Sequence, residues 1–163
     1  MVPDDGEAAA REEVARWVAE LRAARAAAGY AVKRLAAILG VTVTAVYNWE
    51  SAKSFPTLAN LIRFGRELGL RLVIVGLDGR QRSVQAVVKP GELWENREIR
   101  LLVAALRAER RGGGVSQDLL AARIGLSTWS LAQFEQGRLH PRPAVLAAWA
   151  AALDCGVRWR TLV

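Results

Sequence analysis

Apolar and polar positions alternate with a helical period over most of this chain, in short runs closed by glycine. The pattern predicts a long amphipathic helix from about Ala9 to Ala28, ending at Gly29, a natural left-handed stop. A short helix follows, about Val32 to Leu39, and stops at Gly40. Thr42 stands where it caps a third helix, Val43 to Glu50, and Thr57, after Pro56, where it caps a fourth, Leu58 to Leu68. The plan then recurs. A helix is expected from about Asn96 to Arg111, with Gly112-Gly113-Gly114 as a looser stop. Ser116 and Ser127 are placed to cap the next two. Arg142-Pro143 opens the last, with proline at the first helical position, where its missing donor costs nothing. Leu35, Ala36, Leu39, Val41, Val46, Trp49, Leu58, Leu61 and Leu68 fall on inward faces, and Trp17, Phe64, Phe134 and Trp149 are core by their spacing.

Between these blocks the period changes. Arg71 to Val75 is short and β-branched, and Leu77-Asp78-Gly79-Arg80 carries an Asp-Gly turn signal. Arg82 to Val88 alternates weakly, so a β-hairpin is expected, then a Pro90-Gly91 linker. Gly156 to Val163 sits where the first hairpin strand would recur and is expected as one more strand. Lone strands are marginally stable, so these are expected to pack on a neighbour or pair with each other.

The recurrence is an internal repeat at an offset of 85 residues. Residues 21–68 align with 106–153 without a gap, and fourteen of the 48 positions are identical. Leu21-Arg22-Ala23-x-Arg25 falls on Leu106-Arg107-Ala108-x-Arg110, Leu35-Ala36-Ala37 on Leu120-Ala121-Ala122, Gly40 on Gly125, and Pro56 on Pro141. Trp49-Glu50 falls on Phe134-Glu135. Chance matching of Ala-rich helices does not also bring Gly, Pro and Glu into step. The expected division is a first helical domain with an acidic leading segment at 1–69, a hairpin and linker at 70–91, and a second helical domain with a strand at 92–163.

Composition narrows the function. At 163 residues, 52% apolar and 24% charged, the chain is globular. Its longest apolar run, Ala144 to Leu153, falls short of the ~18 residues of a membrane span. Acids close behind Met1 leave no basic leader, so a cytoplasmic location is expected. One cysteine, Cys155, makes no internal disulfide, and one histidine, His140, builds no metal site. No phosphate loop, metal cluster or nucleophile–base spacing points to an enzyme or to a cofactor. The net charge is +7, with twenty Arg against three Lys. Six acids against two arginines make residues 1–20 net −4, which leaves +11 on the remainder. Such a body favours a polyanionic partner.

The stretch Gly40-Val41-Thr42-Val43-Thr44-Ala45-Val46-Tyr47-Asn48-Trp49-Glu50-Ser51-Ala52-Lys53-Ser54-Phe55-Pro56 resembles the turn and recognition helix of the lambda-repressor/Cro (XRE-type) helix-turn-helix family. Gly125 through Pro141 is similar. The resemblance implies a mainly α fold: two tandem lambda-repressor-like helix-turn-helix domains, with a short β-hairpin after the first and a C-terminal strand. It also implies which residues meet double-stranded DNA. Base-reading candidates are Val43, Thr44, Tyr47 and Asn48 in unit one, and Thr128, Trp129, Ala132 and Gln133 in unit two. Asn and Gln suit adenine, and Thr, Val and Ala suit a thymine methyl. Family members commonly bond phosphate with a Gln near the start of the second helix; unit two has it as Gln117 after Ser116, and unit one has Ala31-Val32 followed by Lys33-Arg34. Lys53 and Arg138 are the phosphate candidates after the third helix.

The function so implied is a sequence-specific transcriptional regulator, in the simplest form a repressor, with two recognition helices imitating the two-fold dimer of single-unit relatives. Exposed Trp94 and Trp159, or the hairpin strands, would make a homodimer. An alternative is an antitoxin or anti-activator in which one unit docks a protein partner, such as a toxin or an activator. Glu50 and Glu135 are expected to bond internally, and Ala52, where unit two has Gly137, marks a strained turn.

Overall fold

The computed structural model describes residues 5–85 and 87–162. Among the described residues eight helices and three strands follow one another as α1 (Asp5–Ala27), α2 (Val32–Leu39), α3 (Val43–Glu50), α4 (Leu58–Glu67), β1 (Leu70–Val75), β2 (Gln81–Arg82), α5 (Trp94–Gly112), α6 (Gln117–Ile124), α7 (Thr128–Glu135), α8 (Pro143–Ala152) and β3 (Gly156–Thr161). The architecture is mainly helical, two tandem helix-turn-helix units around a small antiparallel sheet.

The local signals act as the chain suggests. Thr42 and Thr57 accept the amides of Ala45 and Asn60, and Ser116 and Ser127 those of Leu119 and Ser130. Gly40 and Gly125 close α2 and α6 in the left-handed region, at φ of 68° and 72°. Ala52 reaches the same region at φ 60°, where Gly137 has 74°. An alanine there carries the strain that glycine avoids. Helix α1 starts earlier than its apolar pattern, because Asp5 and Glu7 in the first turn complement the helix dipole.

One expectation fails in extent. The second hairpin strand is two residues, not the run to Val88. Val87 and Val88 are both exposed, so their weak alternation buries no face, and the Val87 carbonyl accepts from Arg100 instead of a strand. Ala86 and Val163, which fell in expected strands, and Asp4 of the acidic segment lie outside the described residues.

Strand order is β2-β1-β3, so the two expected lone strands pair with each other. Leu70, Leu72 and Ile74 of β1 lie opposite Thr161, Trp159 and Val157 on the face that joins the core. Arg71, Val73 and Val75 lie opposite Arg160, Arg158 and Gly156 on the other face. Val73 and Arg158 are themselves equivalents in the repeat, 85 residues apart. An antiparallel pair centred on equivalent residues has a local two-fold axis through that pair. The helices obey the same axis: α1 packs on α8, and α5 packs on α4.

The axis corrects the reading of two tryptophans. Trp159 is half-buried at the junction; its indole Nε1 donates to the Trp17 carbonyl at 3.1 Å, and its ring packs against Gly65. Trp94 is half-buried under Arg66, whose guanidinium lies 4.7 Å from the ring centroid. Both are thus partly buried against the other unit of the same chain and not fully exposed as expected.

Candidate nucleic-acid interface

Each recognition helix is held from behind by a buried ion pair. Arg25 of α1 binds both carboxylate oxygens of Glu50 at the end of α3, at 2.6–3.1 Å. Arg110 of α5 binds Glu135 of α7 in the same way, with two contacts of 2.7 Å. The remaining Nη1 of each arginine donates to the carbonyl after the first helix, Tyr30 or Val115, at 2.9 Å. The Glu135 hydrogen bond raises the Arg110 guanidinium further above its ordinary value. Glu50 and Glu135 thus bond internally, as expected. The arginine partners were the missed half of the pair, though both stand among the identical positions of the repeat.

The outer faces differ between units. In unit one, Val43 and Thr44 are exposed at the start of α3, Tyr47 is 57% exposed, and Asn48 is half-buried. Lys33 and Arg34 are exposed on the first turn of α2, and Lys53 is exposed after α3. Arg34 lies 4.6 Å from the Tyr30 ring centroid. Burial, then the hydrogen bond to Glu67, pushes the Tyr30 hydroxyl above its usual value. Arg63 of α4 donates to the Ile38 and Leu39 carbonyls and so satisfies the end of α2.

In unit two, Trp129 is 66% exposed at the start of α7, so within this chain it covers no contact between the units. Thr128 donates its hydroxyl to Asp118 at 2.6 Å. Ala132 and Gln133 are half-buried, and Arg138 is exposed in the turn beyond. Ser116 spends its oxygen on the cap of α6, and Gln117 donates from Nε2 to Glu135 at 3.0 Å. Asp118 was not singled out from the sequence. Its signal is the repeat: Asp118 and Leu119 stand where unit one has Lys33 and Arg34.

In unit two the Thr128–Asp118 bond sets the first turn of α6 beside the start of α7. Backbone amides at a helix start hold phosphate, and side chains on the next helix reach base edges. Among the described residues no helix is long and apolar enough to cross a membrane.

A family model for helix-turn-helix proteins matches the chain twice, over residues 21–75 and over residues 106–160. No curated protein and no solved structure matches the chain.

Proposed function

The chain belongs to the XRE, or lambda-repressor, type of helix-turn-helix family, in two tandem copies, and its units are those of a DNA-binding regulator; from that premise we propose a repressor that reads two major-groove half-sites with α3 and α7 of one molecule. The observation that carries this reading is the local two-fold axis through Val73 and Arg158. Dimeric helix-turn-helix proteins place two recognition helices one helical turn of DNA apart, ~34 Å, by such an axis. Here both heads come from a single polypeptide.

The bases fall to Val43, Thr44, Tyr47 and Asn48 on one side and to Thr128, Trp129, Ala132 and Gln133 on the other. Lys33, Arg34 and Lys53, and Ser116, Gln117 and Arg138, supply the phosphate contacts. The two sets differ in chemistry, so the preferred site is asymmetric. Repression follows from occupying promoter DNA. Cys155 and His140 take no part.

Selection of sites from a random duplex library at ~150 mM salt tests this. A bipartite motif with unlike halves about one helical turn apart is the expected result. No enriched motif would overturn it. A single half-site would favour the second reading, in which unit two docks a protein partner. Asp118 in the place of Lys33, beside an exposed Trp129, supports that reading.

A further inference from the structure

A groove of about 350 Å³ lies in the second unit between α5 and the turn from α7 to α8. Ile99, Val103 and Phe134 make its apolar floor, and Lys89, Arg107 and His140 stand around it. The volume falls in the range of small-ligand sites, roughly 300–1,000 Å³.

The first unit shows what fills such a place. There the positions of Phe134 and His140 are held by Trp49 and Phe55. Trp49 is 8% exposed, and Phe55 packs against the core. In the second unit Phe134 is only half-buried and His140 is exposed. The floor is kept: Ile99 and Val103 answer to Val14 and Val18, and all four are buried. At these two positions the first unit thus carries aromatic rings packed on its core, and the second carries a half-buried Phe134 and an exposed His140. The apolar part of the lining, Ile99, Val103 and Phe134, offers dispersion contacts to a flat ring, and most of the rest of the rim is polar.

The charges around the groove specify the other end of the occupant. Glu92 is engaged by Arg100 at 2.8–2.9 Å, and Glu135 by Arg110 at 2.7 Å. Arg107 reaches Glu135 only at 3.7 Å, with half its side chain in solvent. Lys89 makes no ion pair among the described residues. Two cations therefore face the groove with charge to spare, and its two carboxylates are already neutralised.

We propose that this groove binds a small aromatic carboxylate, the ring on Phe134 in the place that Phe55 takes in the first unit, the carboxylate between Lys89 and Arg107. The occupant touches the end of α7. Its binding is read without DNA, so the outcome is separate from that of the half-site reading.

The test titrates the full chain with phenylacetate and 3-phenylpropionate, followed by NMR shifts of the floor methyl groups, with neutral phenylacetamide as the counter-probe. Ligands of this size bind in about the millimolar range. His140→Phe installs the residue of the first unit, and it is expected to weaken phenylacetate about tenfold or more. Lys89→Gln, an exposed change that leaves the fold alone, is expected to weaken phenylacetate and not phenylacetamide. Saturable shifts of Ile99 and Val103 that His140→Phe abolishes would establish the site. No binding below about 10 mM, equal binding by the amide, or indifference to both substitutions would overturn it.

Discussion

Arg110 sets Nε and Nη2 each 2.7 Å from a separate oxygen of Glu135, and the pair is almost closed to water, with 11% and 1% of the two side chains exposed. Removing the carboxylate strands a buried guanidinium, at a cost of about 3–5 kcal/mol. Glu135→Ala is therefore expected to lower the unfolding free energy by that amount, read as a fall in the urea midpoint with the slope unchanged. Glu50→Ala acts in the same direction and costs less, because Glu135 also takes the Gln117 amide. A loss below about 1 kcal/mol at Glu135 would reduce the clamp to an ordinary surface pair.

Gln133 and Arg138 are five residues apart and have different roles in the proposed reading, one toward bases and one toward phosphate. The Gln133 carbonyl accepts from the Arg138 amide, so truncating the side chain leaves the turn in place. Gln133→Ala is expected to relax specificity at one or two base pairs, by about 1–3 kcal/mol. Arg138→Ala is expected to weaken every sequence alike and to flatten the salt dependence by about one charge. Competition binding on single-base variants of the selected site, at two salt concentrations, separates them. An unchanged base pattern in Gln133→Ala would remove α7 from the reading.

Gly65 faces Trp159 so closely that a Cβ there would overlap the indole ring. The equivalent pair in the repeat is Ala150 and Ile74, a larger residue against a smaller one. Gly65→Ala is expected to cost about 1–3 kcal/mol by overpacking the junction. Adding Trp159→Ile should recover part of that loss, although the indole bond to Trp17 goes with it. A double-mutant cycle in chemical denaturation measures the coupling. Additivity within about 0.5 kcal/mol would mean that the two do not pack.

Cys155 is half-buried, and burial, then Glu109, pushes its thiol above the ordinary value. Its folded value thus exceeds its unfolded one. The stability linked to the protonated thiol is present below the unfolded value and is lost as pH rises through the folded one. Iodoacetamide labelling of the native protein is expected to be slow at pH 7 and to accelerate in urea. Labelling of the native protein as fast as a free thiol at pH 7 would contradict this.

Local signals made most of the helical frame legible. Gly40, Thr42, Gly125 and Ser127 act within a turn of themselves, and α2 and α3 begin and end where those residues say. The repeat brought Glu50 and Glu135 into view as internal partners. What escaped depends on contacts far apart in sequence. Nothing local at Trp159 says that its indole meets Trp17, or that its ring needs a glycine at 65. The alternation from Arg82 to Val88 looks like a strand because sequence does not show which side is covered, and here Val87 and Val88 are both exposed. Asp118 escaped because its partner, Thr128, lies on the next helix. Mutual pairing of the strands was among the expectations; the register that makes Val73 face Arg158 was not.

The strand pair centred on Val73 and Arg158 also has a genetic consequence. In a dimer of identical chains, one altered codon changes both heads at once, and dilution separates them. Here one altered codon changes one head, and no dilution parts it from the other. Each half is free to drift toward its own sequence, as Lys33 and Asp118 already illustrate. In the proposed two-headed reader acting as a single chain, occupancy follows the amount of protein as a simple hyperbola, without the threshold that a dissociating pair would impose.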